Sequence, residues 1–508
     1  MKKQDWIGPL GIALILVANA FFLRFNAFRG FNFFDMGAFL DASWRVYKGQ
    51  RPFIDFLYIS GPIHLYMNAF FFSIFGFGKT AILMHIIAVH SIVIVITYVI
   101  TRKYTPVALA LLASLLTTTC FYWTSSHPWH DQSAHLWGIL AIAVLIFQLP
   151  FQNPKHAFKI GVVCGILVVS VFFTKTNVGS AYGLCFLITL MSVPDISKKL
   201  SAVSGYALGA FIAATVFIVL IGSLSHYLEQ TFLTWNIPIQ RIRRSLPLLF
   251  IPTWLHDYYW LAAVIVLYNI REKWDKLQPL VSLYLGVVFV ALFSMATGTM
   301  KQSANIPLMG ICMALSFVLL YLDQSIFETK QQKIVRKVSL GLLTGITILL
   351  IQTSAKRGLH LDTWAYGNLD PVGNYSMKSE PIKGWMAPKE TGEAVDFLVR
   401  FIKQNIPKNE SLLVLTDLQI LYALTNRESY KGIPFIFYEN EEPPPGKQLE
   451  QVRNYILSNP PRWIITHTDS RATFFVISII PYLGLEDFVK NNYVSVQTIN
   501  QYIVLKHK

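Results

Sequence analysis

Charge is what this chain has least of. Only 14% of its 508 residues are Asp, Glu, Lys or Arg, against roughly a quarter in soluble domains. A water-soluble body is therefore excluded for most of the length. Acid is the scarcer sign: 28 Asp and Glu stand against 43 Lys and Arg, a net charge of +15. Cysteine is sparse too. The four present (Cys120, Cys164, Cys185, Cys312) all lie in apolar runs and none lies near the C-terminus, which excludes a disulfide framework and zinc-type spacing. From about residue 354 onward a glycine-rich phosphate loop and a nucleophile constellation are also missing. The first apolar run follows Met1-Lys2-Lys3 without a small-residue cleavage site, so it reads as a retained helix rather than a signal peptide.

What is there is apolar. Hydrophobic residues make up 54% of the chain and the mean hydropathy is +0.46. They come in runs of about 20, the length that crosses a bilayer as a helix. The runs lack the period-2 alternation of barrel strands, and only helices or closed barrels satisfy the backbone in lipid. Eleven spans are predicted, near 7–25, 79–101, 104–124, 133–150, 158–174, 176–193, 200–222, 254–270, 278–297, 303–322 and 334–353. With the N-terminus inside, the inner loops carry Arg102 and Lys103, then Lys155 and Lys159, then Lys198 and Lys199. Arg271, Lys273 and Lys276 come next, and Lys330, Lys333, Arg336 and Lys337 last. Every inner loop is basic, as the positive-inside rule requires. The excess of positive charge is thereby explained without a nucleic-acid partner.

The stretch from Pro62 to Phe77 is short and interrupted by His64 and Asn68. Counting it as a span would turn the basic loops outward, so it reads as an interfacial helix in a long first outer loop. The expected organisation is a membrane domain over 1–353 and an outer α/β domain over 354–508, where charge, Pro and Gly appear. In the latter, 389–404 has the apolar periodicity of a helix, with Val395, Leu398 and Ile402 on one face. Leu412–Leu415, Ile433–Phe437, Trp463–Thr466 and Tyr502–Leu505 read as strands.

The first outer loop, 26–78, is the unusual segment. Met36, Phe39, Leu40 and Tyr47 fall at helical spacing, predicting an amphipathic helix on the membrane surface with Asp35 at its start. Gly49-Gln50-Arg51-Pro52-Phe53-Ile54-Asp55 follows, then Gly61-Pro62, an apolar helix and Phe75-Gly76. An Asp opening a surface helix, a G-x-x-P-[FY]-x-D turn, a G-P and an apolar helix ending in F-G resemble the first outer loop of GT-C glycosyltransferases. Protein O-mannosyltransferases and the aminoarabinose transferase of lipid A are among these. The resemblance implies an all-α membrane domain of about eleven spans, an outward catalytic loop and an outer C-terminal domain. In that family the first-loop acid is the catalytic or metal-binding carboxylate, a role that falls here on Asp35. The plainer alternative for Asp35 is a helix N-cap. Asp41 reads as a solvated face of the helix, and Asp55 as a residue that orders the turn.

A second acid is common in the family's next outer loop, and Asp131 in His127-Pro128-Trp129-His130-Asp131 is its counterpart. Imidazole and carboxylate suit zinc or manganese, so His127, His130 and Asp131 form, with Asp35, a candidate site for Mn, Mg or Zn. No cofactor is fixed. His130 is also a candidate substrate ligand. Basic residues in outer loops break the positive-inside pattern. Lys175, Lys301 and the Arg241, Arg243, Arg244 cluster are therefore candidates for a lipid phosphate, with which Arg pairs bidentately. Snorkelling to headgroups is the alternative. Lys175-Thr176-Asn177-Val178-Gly179 also matches a Lys-x-Asn-x-Gly pattern of bacterial members, which adds Asn177. His85 and His90 read as packed core residues.

The expectation is an inverting glycosyltransferase of a bacterial inner membrane. It would move a sugar from a polyprenyl-phosphate or diphosphate donor to a glycan, lipid or protein acceptor outside the cytoplasm. Membrane lipid is its surroundings and nucleic acid is not a partner. A carrier or flippase for a lipid-linked glycan, and a non-catalytic envelope assembly or sensing protein, are the competing readings.

Overall fold

The computed structural model describes residues 6–31, 33, 35–58, 60–122, 127–232, 243, 257–297, 307–322, 329–360, 373–416, 418–432, 446–468 and 479–508. In chain order its first helices are α1 (Ile7–Ala27), α2 (Asp35–Tyr47), α3 (Ile63–Phe75), α4 (Lys79–Tyr104), α5 (Val107–Cys120), α6 (His130–Gln148) and α7 (Pro154–Phe172). There follow α8 (Thr176–Met191), α9 (Ile196–Ile221), α10 (Leu224–Phe232), α11 (Asp257–Ile270), α12 (Trp274–Thr297), α13 (Met309–Leu322) and α14 (Lys330–His360). The C-terminal part adds β1 (Tyr375–Ser376), β2 (Met386–Ala387), α15 (Lys389–Asn405), β3 (Leu412–Leu415), α16 (Leu421–Leu424) and α17 (Gly446–Ser458). It closes with β4 (Trp463–His467), α18 (Ile479–Tyr482), α19 (Glu486–Asn492), β5 (Tyr493–Ile499) and β6 (Tyr502–His507). A helix meets every predicted span. Among the described residues, seven stretches are long and apolar enough to cross a membrane, the shorter α5, α8 and α13 are apolar as well, and Arg271–Lys273 breaks the stretch Tyr258–Ser294 into α11 and α12.

The chain divides into two compact units, and the division does not follow the sequence. One holds 1–26, 86–220 and 236–369; the other holds 27–85, 221–235 and 370–508. The first is a helical bundle in which α8 packs on α12, α6 on α7, and α5 on α13 and α14. Lipid offers no hydrophobic drive between helices, so close backbone approach through small residues substitutes for it. The α7/α9 crossing shows this. Gly161 and Gly165 lie against the carbonyls of Ala202 and Tyr206, while Gly205 and Gly209 lie against those of Phe158 and Val162. An added Cβ at any of the four would come within 2.1–2.2 Å of carbonyl oxygen.

The second unit joins 27–85 to the C-terminal α/β part. Its sheet has the order β3-β4-β6-β5, with β3 and β4 parallel and the β4/β6 and β5/β6 pairs antiparallel. One face, with Leu413, Leu415 and Ile464, packs on Val452 and Ile456 of α17. The other, with Leu412, Val414, Trp463 and Ile465, packs on Val395, Leu398 and Ile402 of α15, the face expected from the sequence. The expected strand at Ile433–Phe437 lies outside the described residues.

That second core also takes in Met36, Leu40 and Trp44 of α2, which corrects the sequence reading twice. The apolar face of α2 does not lie on a membrane surface; it is covered by the C-terminal part of the same unit. Asp41 is not a solvated residue either: it is 1% exposed and paired with Arg45 at 2.7 Å. Local periodicity announces an apolar face but does not say what covers it. The interfacial pattern belongs to α3, which buries His64, Leu65, Asn68 and Phe72 and leaves Tyr66, Phe70 and Ile74 exposed in a row.

Candidate functional site

In the helical unit the centre of interest is the corner where α6 and α8 begin. α7 runs out at Phe172, and Lys175 takes an extended backbone (φ −151°, ψ 107°) as the residue before α8. The Lys175 amide bonds Val171 O at 2.8 Å and its carbonyl accepts from Gly179 N at 2.9 Å. Gly179 is demanded by this corner, since a Cβ there would meet Phe172 Cα at 2.2 Å. The Lys-x-Asn-x-Gly spacing is thus a fold requirement as well as a chemical pattern.

The corner brings together three of the predicted residues. Lys175 Nζ donates to Asp131 Oδ1 at 2.5 Å, and His130 Nε2 lies 3.5 Å from Asp131 Oδ2. Both acid and lysine are mostly buried, at 5% and 16% side-chain exposure. The His130 ring stacks on Trp129, which meets His127 edge-on. Asn177 donates to Thr297 Oγ1 at 2.7 Å and so ties α8 to the end of α12. Two helix N-termini, those of α6 and α8, meet at this ion pair. Free amide groups and the helix dipole give each a partial positive charge, so together with Lys175 they suit an anion better than a cation.

Sequence reasoning missed several groups here. His135, one helical turn beyond Asp131, shares a 3.2 Å bond with Tyr182 OH across to α8. Thr176 Oγ1, next to Lys175, is buried without a hydrogen-bond partner. The i, i+4 spacing from Asp131 to His135 was the available signal; a hydroxyl beside a lysine gives none. His127 is buried with Nε2 unpartnered, and burial holds its imidazole down to about pH 3, where it is neutral at any physiological pH. His90 bonds Thr117 O at 3.0 Å, as a packed histidine should.

A divalent metal fits these residues poorly. No group of three His, Cys, Asp or Glu able to hold one occurs among the described residues. Asp131, the acid such a set needs, already faces a cation in Lys175.

In the other unit, Asp35 is the first residue of α2. α2 is pinned along its length. Asn68 of α3 donates to Ser43 Oγ at 3.0 Å and accepts from His85 at 2.6 Å, with His64 3.1 Å away. Asp55 orders the following turn as expected, accepting from Arg51 N at 2.7 Å. Arg243 is exposed; Lys301, Arg241 and Arg244 lie outside the described residues.

A multi-pass helical body together with a small α/β part is a fold shared with solved structures. Among solved structures with it, the chain is similar to ArnT from Cupriavidus metallidurans bound to undecaprenyl phosphate. The TM-score is 0.54 at 12% identity, over 99% of this chain and 98% of that one. The apo form of ArnT gives 0.54 at 13%, over 98% of both chains. The Archaeoglobus fulgidus oligosaccharyltransferase in complex with Zn and sulfate gives 0.50 at 11%, over 96% of this chain and 72% of that one. At such identities the likeness is one of fold. No family model matches the sequence, and no curated protein matches it significantly.

Proposed function

We propose that this chain is a glycosyltransferase that moves a sugar from a polyprenyl-phosphate or diphosphate donor to a glycan, lipid or protein acceptor. The observation that carries the reading is the Lys175–Asp131 corner, two helix N-termini around a buried lysine, in a fold that elsewhere holds undecaprenyl phosphate. The acceptor hydroxyl attacks the sugar C1 from the face opposite the leaving oxygen. The C1–O bond breaks, its electron pair stays on the phosphate, and the configuration inverts. Lys175 and the helix amides neutralise the phosphate as that charge develops. A base takes the acceptor proton. Asp131 is ill suited to this, because the ion pair with Lys175 favours its charged form; its part is to orient Lys175. The base is Asp35.

The basic loops support an N-terminus in the cytoplasm and catalysis on the outer face of a bacterial inner membrane. Nucleotide sugars are not normally supplied there, which favours a lipid-linked donor. The test is bond cleavage. In proteoliposomes given a panel of polyprenyl-phosphate sugars and mixed envelope acceptors, the wild type should release free polyprenyl phosphate. Saturable donor binding with no release under any acceptor would sink the enzyme reading and favour a carrier.

A further inference from the structure

Helix α2 is held by a segment nearly four hundred residues away. After α16 the chain turns through Asn426, a non-glycine residue at φ 49°, and runs past α2 with its carbonyls turned toward the helix. Trp44 Nε1 donates to Arg427 O at 2.8 Å, Gln50 Nε2 to Ser429 O at 2.7 Å and Arg45 Nη1 to Tyr430 O at 2.8 Å. Ser429 Oγ donates to Asp41 Oδ1 at 2.7 Å, and Arg45 Nε donates to Asp41 Oδ2 at 2.7 Å. The Arg45 guanidinium lies between the rings of Phe56 and Tyr422. The segment is itself anchored, since Arg427 donates to the carbonyls of Ile406 and Pro407 just beyond α15. At the N-terminal side of α2, Phe31 N donates to Met386 O and Met386 N to Phe28 O.

Burying two charges to join two apolar surfaces is poor value for stability, because a packed hydrophobic pair does as well. What such a pair supplies is a single geometry. Arginine's rigid planar fork holds the acid and a backbone carbonyl at once in a fixed geometry. We propose that Arg45 is a positioning residue for the transfer reaction: through Asp41, Ser429 and the Tyr430 carbonyl, the C-terminal domain fixes the pose of the helix that Asp35 begins. The domain is then part of the catalytic apparatus, whatever else it binds. This rests on the reading of Asp35 as the base.

The test is Arg45→Lys in the full-length protein. Lysine keeps the positive charge beside Asp41 but lacks the rigid fork that holds both partners in one geometry. The expected result is a kcat about ten-fold or more below wild type, with the donor KM within two-fold. Hydrogen exchange of the amides in 36–47 should be faster, while Lys403→Ala, exposed on α15, stays at wild-type kcat. Should Arg45→Lys fail to fold, Ser429→Ala removes one bond of the set and should lower kcat several-fold in the same KM-neutral way. Wild-type kcat in the folded variant overturns the proposal. If the wild type transfers no sugar at all, the proposed function has failed instead, and exchange in 36–47 alone decides whether the latch exists.

Discussion

At the residue scale, two buried groups carry measurable signatures. The Asp131–Lys175 pair is taken largely from water, so removing one partner strands the other charge, at a cost of about 3–5 kcal/mol, while removing both restores much of that. Asp131→Asn and Lys175→Met should each lower thermal stability more than the double variant does, and Lys175→Met should weaken undecaprenyl-phosphate binding at least about ten-fold. Additive losses in a double-mutant cycle would deny the coupling. His127 sets a pH dependence. Unfolded, it takes up a proton near pH 6.5; buried, it resists until about 3. The unfolded state binds the extra proton between those values, so stability is full above 6.5 and falls as pH drops through that window. The melting temperature of the wild type should fall more steeply from pH 6.5 to 4.5 than that of His127→Gln. These residues were half legible: lysine in an outer loop stands out against the positive-inside pattern, but Asp41 and Arg45 look like any i, i+4 surface pair, because their third partner, Ser429, is remote in sequence.

At the scale of elements, the membrane helices were legible because lipid imposes one rule, about twenty apolar residues per crossing. α2 was not, since a thirteen-residue apolar stripe fits a bilayer surface and a protein core equally well. Helix packing yields a sharper contrast. Gly161 meets the Ala202 carbonyl at the α7/α9 crossing, whereas Gly341 and Gly345 of α14 have nothing within 4 Å. Gly161→Ala should force the helices apart and lower the melting temperature markedly. Gly341→Ala and Gly345→Ala should be neutral or raise stability by up to about 1 kcal/mol each through helix propensity. Equal effects at the three positions would mean the crossing is not tight.

At the scale of the molecule, the sequence suggested a clean cut between membrane and outer parts, yet 27–85 belongs to the same compact unit as the C-terminal sheet. Chain order hid this, since nothing local in 27–85 refers to 370–508. Orientation is testable because the four native cysteines are buried. Lys403→Cys on α15 should react with an impermeant maleimide from the outer side of intact cells, and Lys155→Cys at the start of α7 only after permeabilisation. The reverse pattern would turn the proposed site inward. The most direct measurement is release of polyprenyl phosphate by Asp35→Asn beside the wild type. Asparagine keeps the shape of the side chain and one carbonyl oxygen and removes its charge. The account predicts a folded variant that still binds donor but turns over at least about a hundred-fold more slowly; wild-type turnover would contradict it by removing Asp35 as the base.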